Sequence, residues 1–240
     1  MKTWYWKGKK NFGDLLGPLL LKRFADVDVT RADTPAEATV LAVGSILESV
    51  QPEWGGIIAG IGSLHEHTDT RRRLTGSKVV GLRGPMTARG MRGDFVLADP
   101  GLLADELVGT VEKQHNLGIV PHWSDKRSWA KFNQWSPHII DVAGDPLQVI
   151  AEIGSCKKII SSSLHGVILA DAFGIPRRVE YSETLDREGG LFKFQDYHAS
   201  IKMPLELGVT QAANRHRVED LQNELFDMFE YVGQLLRGEC

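Results

Sequence analysis

The sequence predicts an α/β protein of two Rossmann-like halves whose parallel sheets face a shared cleft, with a helix closing the chain. Three observations carry this reading. Short apolar runs alternate with amphipathic stretches from one end of the chain to the other, the pattern of strands joined by crossover helices. Runs such as Lys78-Val-Val-Gly-Leu82 and Lys157-Lys-Ile-Ile160 are almost continuously apolar after their first residues, as suits strands covered on both faces. A polar stretch, Gly109-Thr-Val-Glu-Lys-Gln-His-Asn116, interrupts the alternation near the midpoint, and a second unit starts just after it.

Taken in order, the expected strands are Thr3–Trp6, Thr39–Val43, Gly56–Ala59, Lys78–Leu82, Asn116–Pro121, His138–Val142, Lys157–Ser161 and Arg177–Glu180. Helical stretches are expected near Leu15–Phe24, Pro85–Met91, Ser124–Gln134, Pro146–Gly154 and Leu164–Phe173. The region Ser182–Leu207 is rich in Gly, Asp and aromatics with weak periodicity, and reads as loop. From Val209 to Leu236 the chain turns helical, because Val218, Leu221, Leu225, Met228, Phe229 and Val232 recur at three- and four-residue steps. The expected division is therefore 1–110 for the first half, 111–208 for the second, and 209–240 for a helix that packs back on the first.

Composition narrows the function. Of 240 residues, 28 are Lys or Arg and 31 are Asp or Glu, for a net charge of −3, which excludes a generally basic chain made for nucleic-acid backbones. Two cysteines, Cys156 and Cys240, make neither a disulfide framework nor a thiolate zinc cluster. The eight histidines show no HExxH spacing, so no metal is expected. No apolar run approaches the roughly 18 residues needed to cross a bilayer, and the start, Met-Lys-Thr-Trp-Tyr-Trp-Lys, lacks a signal-peptide core. A cytoplasmic protein is the expectation.

Ligands of open α/β sheets bind beyond the carboxyl ends of strands. The most informative such place is Lys157-Lys-Ile-Ile-Ser-Ser-Ser-Leu-His-Gly166, where a buried strand runs into three serines, then a histidine and a glycine at the first turn of a helix. A helix N-terminus offers unpaired N–H groups and a positive dipole end to phosphate or carboxylate. Ser161, Ser162 and Ser163 add hydroxyls, and Gly166 admits close backbone approach to a ligand; an N-cap serine is the plainer alternative. Asn11-Phe-Gly-Asp14 follows the first strand in the same way, with Asn11 and Asp14 suited to turn or cap and Gly13 to a positive φ. Gly44-Ser45 and Gly60-Ile-Gly-Ser63 are glycine turns at strand exits without a GxGxxG or P-loop pattern. Arg83 stands at the exit of Lys78–Leu82, where a guanidinium can grip an anion through two parallel hydrogen bonds. Ala98-Asp-Pro-Gly101 and Gly144-Asp-Pro146 read as turns with N-caps. Pro121-His-Trp123 ends the first strand of the second half, so His122 is expected to face the cleft.

These stretches occur in an order that resembles the polysaccharide pyruvyl transferase family, particularly its short bacterial exopolysaccharide members. The resemblance rests on Asn11-Phe-Gly-Asp-Leu-Leu, Val43-Gly-Ser, Gly81-Leu-Arg-Gly-Pro-Met-Thr-Ala, Ala98-Asp-Pro-Gly-Leu-Leu, Ile119-Val-Pro-His-Trp and, most specifically, Ser161-Ser-Ser-Leu-His-Gly-Val-Ile-Leu-Ala-Asp-Ala-Phe-Gly-Ile-Pro176. It implies two domains arranged as in GT-B glycosyltransferases. It also implies transfer of a pyruvyl unit from phosphoenolpyruvate to two sugar hydroxyls, giving a cyclic ketal and phosphate, with no cofactor beyond that co-substrate.

On this resemblance His165 is the general acid that protonates the donor's methylene carbon, and Arg83, Ser161, Ser162, Ser163, Leu164 and Gly166 hold the donor. Asn11, Gly13, Asp14, Gly44, Ser45, His122 and Trp123 are the cleft and acceptor candidates. A bound phosphate and carboxylate would favour the imidazolium that a helix N-terminus alone disfavours. Some relatives carry an arginine two residues before this histidine, where it contacts the donor; Ser163 stands there instead. Either serine and backbone suffice, or Lys157, Arg177 or Arg83 supplies the charge. A lipid-linked acceptor would bring the protein to the inner face of the membrane. Two other readings stay open on sequence: a glycosyltransferase using a nucleotide sugar, and a non-catalytic saccharide-binding protein.

Overall fold

Alternation of side chains along each strand lets one short apolar run serve two cores at once. In the computed structural model, which describes residues 1–239 apart from 7, 126–127, 183–184 and 186–188, and only the backbone of 128, 130 and 131, the runs form two sheets. Cys240 lies outside the described residues.

The first sheet comprises β1 (Lys2–Thr3), β2 (Thr30–Arg31), β3 (Val40–Leu41), β4 (Ile57–Ala59), β5 (Lys78–Leu82) and β6 (Val96–Leu97), in the order β2-β1-β3-β4-β5-β6 and parallel throughout. The second comprises β7 (Gly118–Val120), β8 (His138–Ile139), β9 (Ile159–Ser161), β10 (Arg177–Val179) and β11 (Thr210–Gln211), in the order β11-β10-β9-β7-β8. Only β11 runs antiparallel there. β5 keeps the whole of its run, Lys78–Leu82, while the other foretold strands are shorter than theirs; β1, for example, ends at Thr3, which pairs with Arg31, the last residue of β2.

Helices cover the sheets: α1 (Leu16–Phe24), α2 (Thr70–Arg73), α3 (Pro146–Gly154), α4 (Leu164–Ala172), α5 (Phe192–Ser200) and α6 (Arg215–Arg237). Val40, Ala59, Val120 and Ile159 point to one large core that also takes in α1, α3, α4 and α6. Their strand neighbours Leu41, Ile58, Ile119 and Ile160 point the other way, into two smaller clusters. The large core is thus shared between the two sheets.

Asp145 caps α3 by accepting from the backbone N–H of Leu147 and Gln148, and Asp99 accepts from Gly101, so both Asp-Pro pairs are turns with caps. The helix α6 carries the expected apolar face, and its Met228 packs on Gly81 while Phe226 and Phe229 meet Phe24. It starts at Arg215, capped by Asn214, rather than at Val209. The intervening Thr210–Gln211 pairs with β10 instead, and Gln211 accepts from Arg177 Nη1 at 2.9 Å.

Two further expectations change. Pro85–Met91 is a series of turns rather than a helix, and Ser182–Leu207 is not all loop, since α5 lies inside it. One side chain explains both. Asp196 of α5 accepts from the backbone N–H of Met86 and Thr87, each at 2.9 Å, from Thr87 Oγ1 at 2.6 Å, and from Arg83 Nε at 2.9 Å. The chain after β5 can therefore leave helical geometry with its amides satisfied, because a carboxylate from the other half accepts from them. The next residue, Tyr197, donates to Asp171 at 2.9 Å, and Asp171 in turn pairs with Arg177. Consecutive residues of α5 thus bind opposite halves.

Removing Asp196 strands a guanidinium that is only 1% exposed. Asp196→Ala should cost about 3–5 kcal/mol, the range for breaking a buried ion pair, seen as a lowered urea midpoint; a loss below 1 kcal/mol would contradict the pairing.

Candidate functional site

The strand orders place the site. In an open parallel sheet the crevice opens where the order reverses, beyond the carboxyl ends of the two strands that part there. In the first sheet the reversal falls between β1 and β3, in the second between β7 and β9. The segments leaving these four strands line a single cleft of about 290 Å3: Trp6, Asn11 and Asp14 after β1, Ser45, Ile46, Glu48 and Ser49 after β3, His122 and Trp123 after β7, and Ser163, Leu164 and His165 after β9. Leu64 and Lys193 complete it. The volume sits at the low end of the roughly 300–1,000 Å3 of small-molecule pockets.

From the first half, Asn11 caps the 3-10 turn Phe12–Leu15, accepting from Gly13 N–H at 3.3 Å and donating to Asp14 Oδ2 at 3.2 Å. Burial pushes the Asp14 carboxyl up to about 7, against the opposing pull of the Asn11 bond and Lys193. Gly13 has no positive φ; its smallness serves space instead, because a Cβ there would run into the His165 ring. Gly44, at φ +112°, does need glycine, and it turns the chain so that Ser45 Oγ accepts from Arg83 Nη1 at 2.6 Å.

From the second half, the three serines divide their work. Ser161 Oγ lies 2.8 Å from Val120 O and accepts from Ser163 N–H at 3.0 Å, while Ser162 Oγ accepts from His122 N–H at 2.8 Å. Both tie β9 to β7. Ser163 is the residue that reaches the cleft; it occupies the N-cap position of α4 with extended backbone and no side-chain cap bond. Gly166 also faces structure rather than space for a ligand. A Cβ there would strike Ser161 Oγ and Val120, so the glycine lets α4 press on β7. The first turn of α4 opens on the cleft, with Leu164 and His165 on its wall.

His165 is 8% exposed, its Nε2 has no hydrogen-bond partner, and its ring packs edge-on against Phe12. Burial, together with Arg83 and Lys193, lowers its pKa to about 3. His122 is lowered to about 3 by burial and Lys193; its Nδ1 meets Ser124 Oγ at 2.7 Å. Trp123 stacks obliquely with His122 and with Trp6.

Arg83 stands behind this wall rather than on it, committed to Asp196, Ser45 Oγ and the Ser63 carbonyl. Arg177 is fully buried against Asp171, and Lys157 is exposed outside the cleft. Among the described residues the cation on the cleft wall is Lys193, in the first turn of α5 and 7% exposed. Sequence reasoning passed over it along with Trp6 and Glu48. The signal for α5 was present in Leu191, Phe194, Tyr197 and Ile201 at three- and four-residue steps, obscured by Gly189-Gly190 and by polar residues that are buried in pairs.

Carbon-detected and nitrogen-detected NMR titration of the ligand-free protein should find the Asp14 carboxyl titrating near pH 7. The His122 and His165 rings should stay neutral to below pH 5. A His165 ring titrating near its ordinary 6.5 would contradict the buried, cation-flanked environment described above.

Among the described residues no group of three or more His, Cys, Asp or Glu side chains is placed to hold a metal, and no helix is long and apolar enough to cross a membrane. The chain is similar to the succinoglycan biosynthesis protein ExoV of Rhizobium meliloti (strain 1021), with 29% identity over 234 residues that cover 90% of this chain and 67% of that protein. It is also similar to an uncharacterized protein of Acanthamoeba polyphaga mimivirus, with 38% identity over 90 residues that cover 34% of this chain and 31% of that protein. A family model described as polysaccharide pyruvyl transferase matches residues 59–179, from β4 through β10. That stretch holds the His122–Trp123 wall and the whole serine-histidine turn, and with it the chain belongs to the polysaccharide pyruvyl transferase family.

Proposed function

We propose that this protein transfers the pyruvyl unit of phosphoenolpyruvate to two hydroxyls of a saccharide, forming a cyclic ketal in exopolysaccharide or cell-envelope polysaccharide synthesis. The observation that carries it is His165 at the mouth of α4, in the cleft where both switch points meet, inside the span that matches the family. The likeness to a succinoglycan biosynthesis protein supports the polysaccharide setting.

The chemistry suits the wall. Phosphoenolpyruvate is an enol ester bearing a carboxylate and a phosphate. The open amides of α4 and the Lys193 ammonium offer both anions a favourable field. Burial, with Arg83 and Lys193 nearby, holds His165 neutral. An anionic donor beside them reverses the sign of that field, so donor binding carries its own proton uptake onto the imidazole. His165 then protonates the methylene carbon, leaving cationic character on the carbon that bears phosphate. One sugar hydroxyl adds to that carbon, phosphate departs, and the second hydroxyl closes the ring. Of the two hydroxyl protons, one restores the acid and one leaves with phosphate. Asp14, with its carboxyl near neutrality, is suited to take the proton of the attacking hydroxyl and pass it to the departing phosphate. Phosphoenolpyruvate is a multiply charged metabolite that does not cross bilayers, so this reading puts the reaction on the cytoplasmic side, at the inner membrane face where the acceptor is lipid-linked.

Incubation with phosphoenolpyruvate and acceptor should release phosphate, and His165→Ala should reduce that rate by about 10²- to 10⁴-fold, the usual contribution of a positioned acid, with an unchanged circular dichroism spectrum. Full activity in that variant would remove His165 from the chemistry. Lys193→Ala should raise the donor KM by about 10- to 100-fold, from the ~1.5–3 kcal/mol of a charge-assisted hydrogen bond. Thermal stabilisation by UDP-sugars with indifference to phosphoenolpyruvate would transfer the protein to the glycosyltransferases.

A further inference from the structure

Glu48 is the feature of the cleft that pyruvyl transfer from the donor does not use. It sits in the 3-10 turn Leu47–Ser49 that follows β3 and Gly44. Its Oε1 is saturated: Thr68 Oγ1 donates at 2.6 Å, the backbone N–H groups of Leu64 and His65 donate at 2.8 and 3.1 Å, and Ser63 Oγ lies at 2.6 Å. Its Oε2 is shielded from solvent and has no partner. Burial works to raise the carboxyl's pKa, but the hydrogen bonds of Ser63, Thr68 and His65 outweigh it and hold the group below its ordinary value. An ionised oxygen is therefore kept out of water without a donor, an arrangement that costs stability unless something else supplies one.

The same cleft carries two indoles. Trp6 is 38% exposed, and its ring lies 5.7 Å from that of Trp123 at an interplanar angle of 36°. A sugar ring has an apolar C–H face that suits an indole and a rim of hydroxyl donors that suit a carboxylate oxygen. A phosphate or a uronate would meet Glu48 with like charge. The cleft thus carries a cation in Lys193 and an anion in Glu48.

We infer that Glu48 and the Trp6–Trp123 pair form the acceptor subsite, and that it takes an uncharged sugar ring, with the side chains that cover Glu48 Oε2 giving way so that it accepts a hydrogen bond from one free hydroxyl while the ring lies against indole. This rests on the pyruvyl-transfer reading and adds the acceptor's charge class and its anchoring residues. Glu48 is a binding residue here and takes no part in proton transfer.

Glu48→Gln separates this role from a structural one, because its amide oxygen can keep all four Oε1 partners while an NH2 group replaces Oε2. The probes are the methyl glycosides of glucose, galactose and mannose and the corresponding uronates, followed by saturation-transfer NMR on the full chain with phosphoenolpyruvate present. The wild type should bind at least one neutral glycoside and prefer it to its uronate. Glu48→Gln should weaken that glycoside about tenfold or more, in line with loss of a hydrogen bond to a charged group, and narrow the preference over the uronate, with an unchanged melting temperature and unchanged stabilisation by phosphoenolpyruvate. Trp6→Ala, at an exposed position, should weaken the same glycoside. Equal binding by wild type and Glu48→Gln, a wild-type preference for uronates, or no binding of any neutral glycoside to donor-saturated protein would overturn the subsite. Failure of phosphoenolpyruvate itself to stabilise the wild type would instead overturn the pyruvyl-transfer reading beneath it.

Discussion

Asp196 gathers four hydrogen-bond donors from the segment after β5, and the geometry of the cleft depends on that cluster. Two half-proteins with parallel sheets could pack in many ways if apolar surface alone decided, since hydrophobic burial has little directionality. A buried carboxylate that must meet one guanidinium, two amides and a hydroxyl at once has very few solutions. By holding α5 in one place, it also holds Lys193, three residues earlier on the helix, on the cleft wall. Tyr197, one residue later, fixes the other side of α5 to Asp171 and Arg177. Arg83 contributes twice: it completes the Asp196 cluster and it reaches Ser45, so the turn after β3 is held by the same guanidinium.

The electrostatics of the cleft follow from that scaffold. Burial lowers the pKa of both His122 and His165 and raises that of Asp14; Arg83 adds to the effect on His165 from behind, and Lys193 adds to both histidine shifts while opposing that of Asp14. The site is therefore biased toward neutral imidazoles beside a carboxyl near its midpoint. The cations that disfavour a protonated histidine are also the groups that would attract an anionic donor. On the proposed pyruvyl transfer, a single arrangement of charge would couple arrival of the donor to arming of the acid.

Most of the fold was legible because its signals are local. The runs at Lys78–Leu82 and Lys157–Ser161 foretold β5 and β9, and the periodicity from Val218 to Val232 foretold the buried face of α6. What escaped was decided at long range. Arg83 is visible as a strand-exit arginine, but its partner Asp196 lies 113 residues further on, and no local pattern pairs them. The helix α5 hid because its buried positions include Lys193, Asp196 and His198, which read as solvent-facing until their partners are known. Gly13 was noticed for a backbone angle it does not adopt; what it supplies is room for a ring from the opposite half. Asn11, Asp14, Ser45, His122, Trp123, Ser163 and His165 do converge. Glu48 left no trace in the sequence, since a lone glutamate after a glycine turn looks like any surface carboxylate.

The core shared by both sheets has a mechanical consequence. Phe12 N–H donates to Val142 O across the halves, and α1, α3, α4 and α6 contribute to one apolar cluster. Swinging the halves apart like a jaw would tear close-packed interior and expose it to water, a cost that rises with every side chain uncovered. Small molecules therefore reach a cleft whose walls the shared core holds at a nearly constant separation. Such a protein meets its reactants with the walls already set.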